Sequence, residues 1–188
     1  MIMLFHSVQF MLNTKLFFMI TEDTEELVEV LNDLVKINND RIVGYEKAIQ
    51  HSSDSDNDLV NVFTKMIAES RQYKSELSNT IQDLGGRVDT EETTHSGKLY
   101  RLWMDLCAAV KGRDRRSVLD DCEFGEDTIQ KVYREAIESD ATRGADIRRL
   151  ITNQKSSLKT SHDTIKRMRD MQKERDEMQK ENKSTFNH

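Results

Sequence analysis

Apolar residues recur every three or four positions in four long stretches of this chain. The first stripe is Leu27, Leu31, Leu34, Asn38, Ile42, Tyr45 and Ile49. The second is Phe63, Met66, Ser70, Tyr73, Leu77, Ile81 and Leu84. Leu119, Cys122, Glu126, Ile129, Tyr133 and Ile137 form the third, and the fourth runs from Ile147 through Leu150, Ile151, Gln154, Leu158, Ser161 and Ile165 to Met168. This is the period of amphipathic α-helices that each bury one face. It predicts helices A (about 24–50), B (about 59–84), C (about 115–138) and D (from about 145). The breaks agree with the stripes. Asp23 and Glu26 suit a capping box before A, and residues 52–58 are a turn of Ser, Asp and Asn. Gly85-Gly86 suits a left-handed stop after B, and Asp114 suits the cap of C. Beyond Arg169 the chain is almost wholly polar and reads as exposed helix that then frays.

A faint repeat orders these helices. Tyr45-Glu46-Lys47-Ala48-Ile49 returns 88 positions later as Tyr133-Arg134-Glu135-Ala136-Ile137. At the same offset Leu59 maps to Ile147, Val62 to Leu150, Phe63 to Ile151 and Leu77 to Ile165. One helical hairpin used twice explains this register. A to B and C to D need only short turns, whereas B to C spans about 30 residues and holds a further short helix over 97–111, with Leu99, Leu102, Trp103, Leu106 and Val110. The expected fold is therefore all-α: a ferritin-like antiparallel four-helix bundle with a long B–C crossover containing a short extra helix. A five-helix up-down array is the alternative.

Composition narrows the function classes. The chain has 188 residues, 36% hydrophobic and 33% charged, with no proline. A formal net charge of -6 disfavours a general nucleic-acid partner, because phosphate binding needs concentrated positive charge. The basic cluster Lys111, Arg113, Arg115 and Arg116 lacks the interleaved aromatics of a single-strand groove and reads as a solvated helix start. Two cysteines, Cys107 and Cys122, cannot build a disulfide framework, which suits a reduced cytoplasmic setting. Residues 1–20 are apolar but interrupted by His6, Gln9, Asn13 and Lys15. They lack a basic n-region and a cleavage site, and are too broken for a membrane span. They read as an N-terminal extension outside the bundle, and Met19-Ile20-Thr21-Glu22 reads as a more natural beginning. The expected division is an extension over 1–20, a bundle domain over 21–170 and a charged extension over 171–188.

The same register exposes what faces the bundle centre. A dinuclear iron or manganese centre needs a carboxylate from each of two helices and Glu-x-x-His from each of the other two. The corresponding positions here are Asn38, Glu126, Ser70 with Tyr73, and Leu158 with Ser161. Glu126 alone is a typical ligand, and no Glu-x-x-His occurs. A reduced, mononuclear set of Glu123, Glu126 and His162 is the remaining metal reading, since Glu123 and Glu126 are i, i+3. Glu126 sits at a stripe centre, so it should be buried, and a buried carboxylate needs a partner. Asn38, Arg41, Tyr45 and Tyr133 are the candidate donors, giving a buried polar network that fixes helix register. On that reading Glu126→Gln preserves the fold, and Glu126→Leu costs about 1–3 kcal/mol at most. No catalytic residue and no cofactor is indicated.

Several blocks resemble a bacterial ferritin-like four-helix-bundle family of unknown function. They are Val30-Leu31-Asn32-Asp33-Leu34 with Ile37-Asn38-Asn39-Asp40-Arg41 and Gly44-Tyr45-Glu46, and Ser96-Gly97-Lys98-Leu99-Tyr100-Arg101-Leu102-Trp103-Met104. Cys122-Glu123-Phe124-Gly125-Glu126-Asp127 and Leu158-Lys159-Thr160-Ser161-His162-Asp163 complete the set. The resemblance covers about 24–170. It implies the bundle fold and a soluble cytoplasmic setting, and no reaction. The expected function is that of a non-catalytic helical-bundle protein acting through self-association, with a dimer favoured, or through protein binding. The alternative is a ferritin-like metal-binding protein with a reduced, non-dinuclear ligand set.

Overall fold

The computed structural model describes residues 2–50, 52, 56–89 and 114–186, with side chains of the first helix described from Glu22 onward. Four long helices carry these residues: α1 (Ile2–Gln50), α2 (Asn57–Asp83), α3 (Arg115–Glu138) and α4 (Ala145–Phe186). A single 3₁₀ turn, Asp140–Thr142, joins α3 to α4. The fold is an all-α helical bundle. Among the described residues no helix is long and apolar enough to cross a membrane.

The helix ends follow local chemistry. Leu84 closes α2, and Gly85 then turns left-handed at φ +77°. The Gly86 N–H reaches the Ile81 carbonyl and the Gly85 N–H reaches that of Gln82, both at 2.9 Å, so the last carbonyls of α2 are satisfied. Gly86 is also needed for space: a Cβ there would lie 2.6 Å from Val28. At the start of α3 the Asp114 carboxylate accepts from the Ser117 N–H at 2.8 Å, as expected of a cap.

The start of α1 differs from expectation. The helix runs unbroken from Ile2, so Asp23 and Glu26 lie inside it and do not cap it. Nothing in residues 2–43 supplies a break, because the first glycine is Gly44 and proline is absent. The helix expected over 97–111, with Trp103 and Cys107, lies outside the described residues, as do Lys111 and Arg113.

Cross-helix contacts fix the chain directions. Asn38 meets Tyr133 while Tyr45 meets Glu126, so α1 and α3 run antiparallel. Glu69 meets Ser157 and Ser161 while Glu76 meets Gln154, so α2 and α4 are antiparallel too. Since α1 and α2 form an antiparallel hairpin, the order is up, down, down, up. The two ends of the α2–α3 connection confirm this. Asp89 pairs with Lys36 and Arg87 accepts from Asn32 at one end of the bundle, whereas Arg115 pairs with Asp56 at the other. One long crossover connection is the topology that this requires.

The core holds the predicted stripes, including Leu31, Leu34, Phe63, Leu77, Leu119, Ile129, Ile151, Leu158 and Ile165. The repeat is visible in space as an approximate twofold relation of the α1–α2 hairpin to the α3–α4 hairpin. Tyr45 with Glu126 and Tyr133 with Asn38 are equivalent pairs under the 88-residue offset, and Glu69 with Ser157 maps onto itself. Helix α1 is buried over more of its circumference than its stripe alone. Val35, Lys36, Ile37 and Asp40 are buried as well, and the segment after α2 meets the helix at Asn32 and Lys36.

Candidate functional site: the polar centre of the bundle

Arg41 and Glu126 are both fully buried and face each other across the α1–α3 seam. The Arg41 Nε donates to Glu126 Oε1 at 2.7 Å, and the Tyr45 hydroxyl donates to the same oxygen at 2.6 Å. The Arg41 Nη1 donates to Glu69 Oε2 at 2.8 Å, to Ser70 Oγ at 2.9 Å and to the Met66 carbonyl at 3.2 Å. The guanidinium also lies 5.5 Å from the Tyr45 ring centroid, and that ring stacks on Phe63 at 5.0 Å. One cation is thus shared by two carboxylates from different helices, held by groups from three.

Glu69 extends this cluster to the fourth helix. Its Oε1 accepts from Tyr73 at 3.1 Å and from Ser157 at 2.9 Å, and its Oε2 accepts from Ser161 at 2.9 Å. A groove of about 250 Å³ between α2 and α4 reaches it, lined by Lys65, Met66, Ser161 and Thr164 among others. A second cluster, with a neutral amide–phenol–amide centre, lies one to two turns away. Asn38 Nδ2 donates to the Tyr133 hydroxyl at 2.7 Å, which donates to Gln154 Oε1 at 3.0 Å. Gln154 Nε2 in turn donates to Glu76 Oε2 at 2.8 Å.

The electrostatics follow from this packing. Burial works against the Arg41 charge, but Glu126, Tyr45 and Glu69 outweigh it and hold the guanidinium above the usual arginine range. For Glu69, burial pushes the carboxyl up, yet Arg41 and the hydrogen bonds from Arg41, Ser161 and Ser157 bring it below the ordinary glutamate value. Burial raises all three tyrosine hydroxyls. Tyr73 is pushed up to about 12, and Tyr45 and Tyr133 also stand above the ordinary value. The centre therefore keeps neutral phenols around an ion pair and holds them in the donor form.

All five residues of the expected network, Asn38, Arg41, Tyr45, Glu126 and Tyr133, are buried and hydrogen-bonded at this centre. Glu69, Glu76, Ser157 and Gln154 complete it. Glu69 and Glu76 flank their stripe, so periodicity alone ranks them as solvated.

The three residues of the reduced metal set are not brought together. Glu123 and Glu126 do share a face of α3, but Glu123 pairs with Arg169 and Glu126 with Arg41. His162 lies 2.9 Å from Asp127 and 3.0 Å from Asp163. Among the described residues no three His, Cys, Asp or Glu side chains converge as a metal site. The i, i+3 rule places two carboxylates correctly and says nothing of the arginines that reach them first.

The helices that carry this centre also carry the family signature. The model for the family described as Domain of unknown function (DUF2383) matches residues 26–139, more than half of the chain. The chain belongs to the DUF2383 family. The match takes in α1 from Glu26, all of α2 and all of α3, and so holds Asn38, Arg41, Tyr45, Glu69, Glu126 and Tyr133. No curated protein matches the chain.

Proposed function

We propose that this DUF2383 protein is a non-catalytic, ferritin-like bundle of the bacterial cytoplasm that works through self-association or protein binding. The observation that carries this reading is the pairing at the centre. Arg41 occupies the position between Glu126 and Glu69 that a metal cation or a substrate would need, so the polar groups serve to fix the register of four helices. A general acid or base needs a reacting group beside it, whereas Glu126 Oε1 is held by Arg41 and Tyr45 and Glu126 Oε2 is buried. Surface chemistry supports the association half of the reading: Phe124, Met171 and Met178 are large apolar side chains standing in water. Light scattering on the full, untagged chain is expected to give a dimer mass that falls on dilution. A monomer mass at every concentration, with no partner retained, would remove the association reading. Stoichiometric transition metal in protein purified without chelator, with a raised melting temperature on metal addition, would replace it with the metal-binding alternative.

A further inference from the structure

Three buried polar atoms of the bundle centre have no hydrogen-bond partner among the described residues: Asn38 Oδ1, Arg41 Nη2 and Glu126 Oε2. Each belongs to a side chain whose other polar atoms are engaged. Asn38 Nδ2 donates to the Leu34 carbonyl at 2.8 Å as well as to Tyr133. Arg41 donates through Nε and Nη1, and Glu126 accepts through Oε1. Buried polar atoms are as a rule satisfied, by protein or by ordered water, so three unpaired atoms at one seam call for a physical account.

The ion pair itself opens a gap beside them. The Nε–H of a guanidinium and one N–H of Nη2 point in parallel, so a carboxylate laid side-on accepts from both. Glu126 accepts from Nε alone, because its Oε1 also takes the Tyr45 hydroxyl and the carboxylate is turned off the guanidinium edge. Arg41 Nη2 and Glu126 Oε2 are each two covalent bonds from atoms that lie 2.7 Å apart, so they flank one gap. Asn38 stands one turn before Arg41 on the same face of α1. Its Nδ2 turns back to Leu34, which directs Oδ1 the other way, toward the turn that carries Arg41.

These three atoms define what can join them: two accept and one donates. A cation there would meet the Arg41 guanidinium, and an anion would meet the Glu126 carboxylate. Water matches the set, donating to Asn38 Oδ1 and Glu126 Oε2 and accepting from Arg41 Nη2. Three hydrogen bonds are what a buried water typically makes. We propose that the bundle centre binds one internal water molecule, held by Asn38 Oδ1, Arg41 Nη2 and Glu126 Oε2. The site goes beyond the association reading and does not depend on it. The water joins the Arg41–Glu126 ion pair to the Asn38–Tyr133–Gln154 chain, so the charged and neutral clusters form one network. It also satisfies the second oxygen of Glu126 without a second cation.

A crystal structure of the full chain, at a resolution that shows ordered solvent, tests the site without any substitution. One fully occupied density peak within about 2.7–3.2 Å of all three atoms is expected. A direct bond from Arg41 Nη2 to Glu126 Oε2 with no peak between them would overturn it. So would a peak out of reach of Asn38 Oδ1, or one with the anomalous signal of a metal ion. A double-mutant cycle in urea unfolding reads the link in solution, through Asn38→Ala and Glu126→Gln. The folded-to-unfolded ratio of the double variant is expected to differ from the product of the single effects by about twofold or more. Strictly multiplicative effects would leave two independent clusters and overturn the link.

Discussion

Tyr45 and Tyr133 occupy equivalent positions of the two hairpins, yet their surroundings differ in kind. Tyr45 donates to a carboxylate that also holds a buried arginine, whereas Tyr133 sits between two neutral amides. The repeat supplies the same geometry twice, and the residues opposite, Glu126 and Asn38, decide what each copy means. In the charged half a lost partner leaves an ion in the core. In the neutral half it leaves only a polar group.

The sharpest break of that comparison is Arg41→Leu. It leaves Glu126 and Glu69 without their shared cation, and is expected to cost about 3–5 kcal/mol in urea unfolding. A loss under about 1 kcal/mol would mean that the carboxylates find other partners. Next comes Glu126→Leu, which strands the Tyr45 hydroxyl and the Arg41 Nε, at about 1–3 kcal/mol. Glu126→Gln should be much milder. It keeps an acceptor for both donors, and Arg41 retains Glu69. Equal losses for the leucine and glutamine variants would show that charge, not hydrogen bonding, holds the seam.

The tyrosines themselves give a smaller contrast. Tyr45→Phe removes a hydrogen bond to a charged acceptor and should cost about 1.5–3 kcal/mol, against about 1 kcal/mol for Tyr133→Phe. A reversed order would place the weight of the centre in the neutral half. The pH profile carries the smallest and most gradual effect. Glu69 is held below its ordinary value of 4.5, so its contribution is present above that pH and fades as acid takes the pH through its folded pKa. The tyrosines are raised above 10.0, so their contribution is present below that pH and fades as alkali takes it through their folded values. Melting temperatures measured across pH should thus fall at both extremes, and Glu69→Gln should flatten the acid limb. An unchanged acid limb in that variant would assign the effect to other carboxylates.

Much of this centre was readable from spacing. The stripes put Asn38, Glu126 and Tyr133 inward, and the repeat matched Asn38 to Glu126. Arg41 was accessible because it falls one turn from Asn38 and Tyr45. The roles of Glu69 and Glu76 were not accessible in the same way. Periodicity reports which face of a helix is apolar, but not which polar groups of a neighbouring helix lie opposite its flank, and here Ser157, Ser161 and Gln154 of α4 do so. The breadth of the buried surface on α1 was hidden for a related reason. Lys36 looks like a solvent residue until the chain after Gly86 lies across it and brings Asp89 to its amine. The expected metal ligands find other partners: Glu123 and Glu126 share one face of α3, and an arginine reaches each of them.

The up, down, down, up order has a consequence for how the molecule comes apart. Each hairpin joins helices that are neighbours in sequence, while the α1–α3 and α2–α4 seams join residues such as Arg41 with Glu126, and Glu69 with Ser161, that are far apart along the chain. Local contacts close with little loss of chain entropy and distant ones close late. The seams should therefore form after the folding barrier, and a weakened seam should act on the reverse step. Arg41→Leu is expected to speed unfolding while leaving the refolding arm of the chevron nearly unchanged. A slowed refolding arm with unaltered unfolding would instead put the ion pair in the folding nucleus. If the seam does close last, the lifetime of the folded protein is set by one guanidinium held between two glutamates.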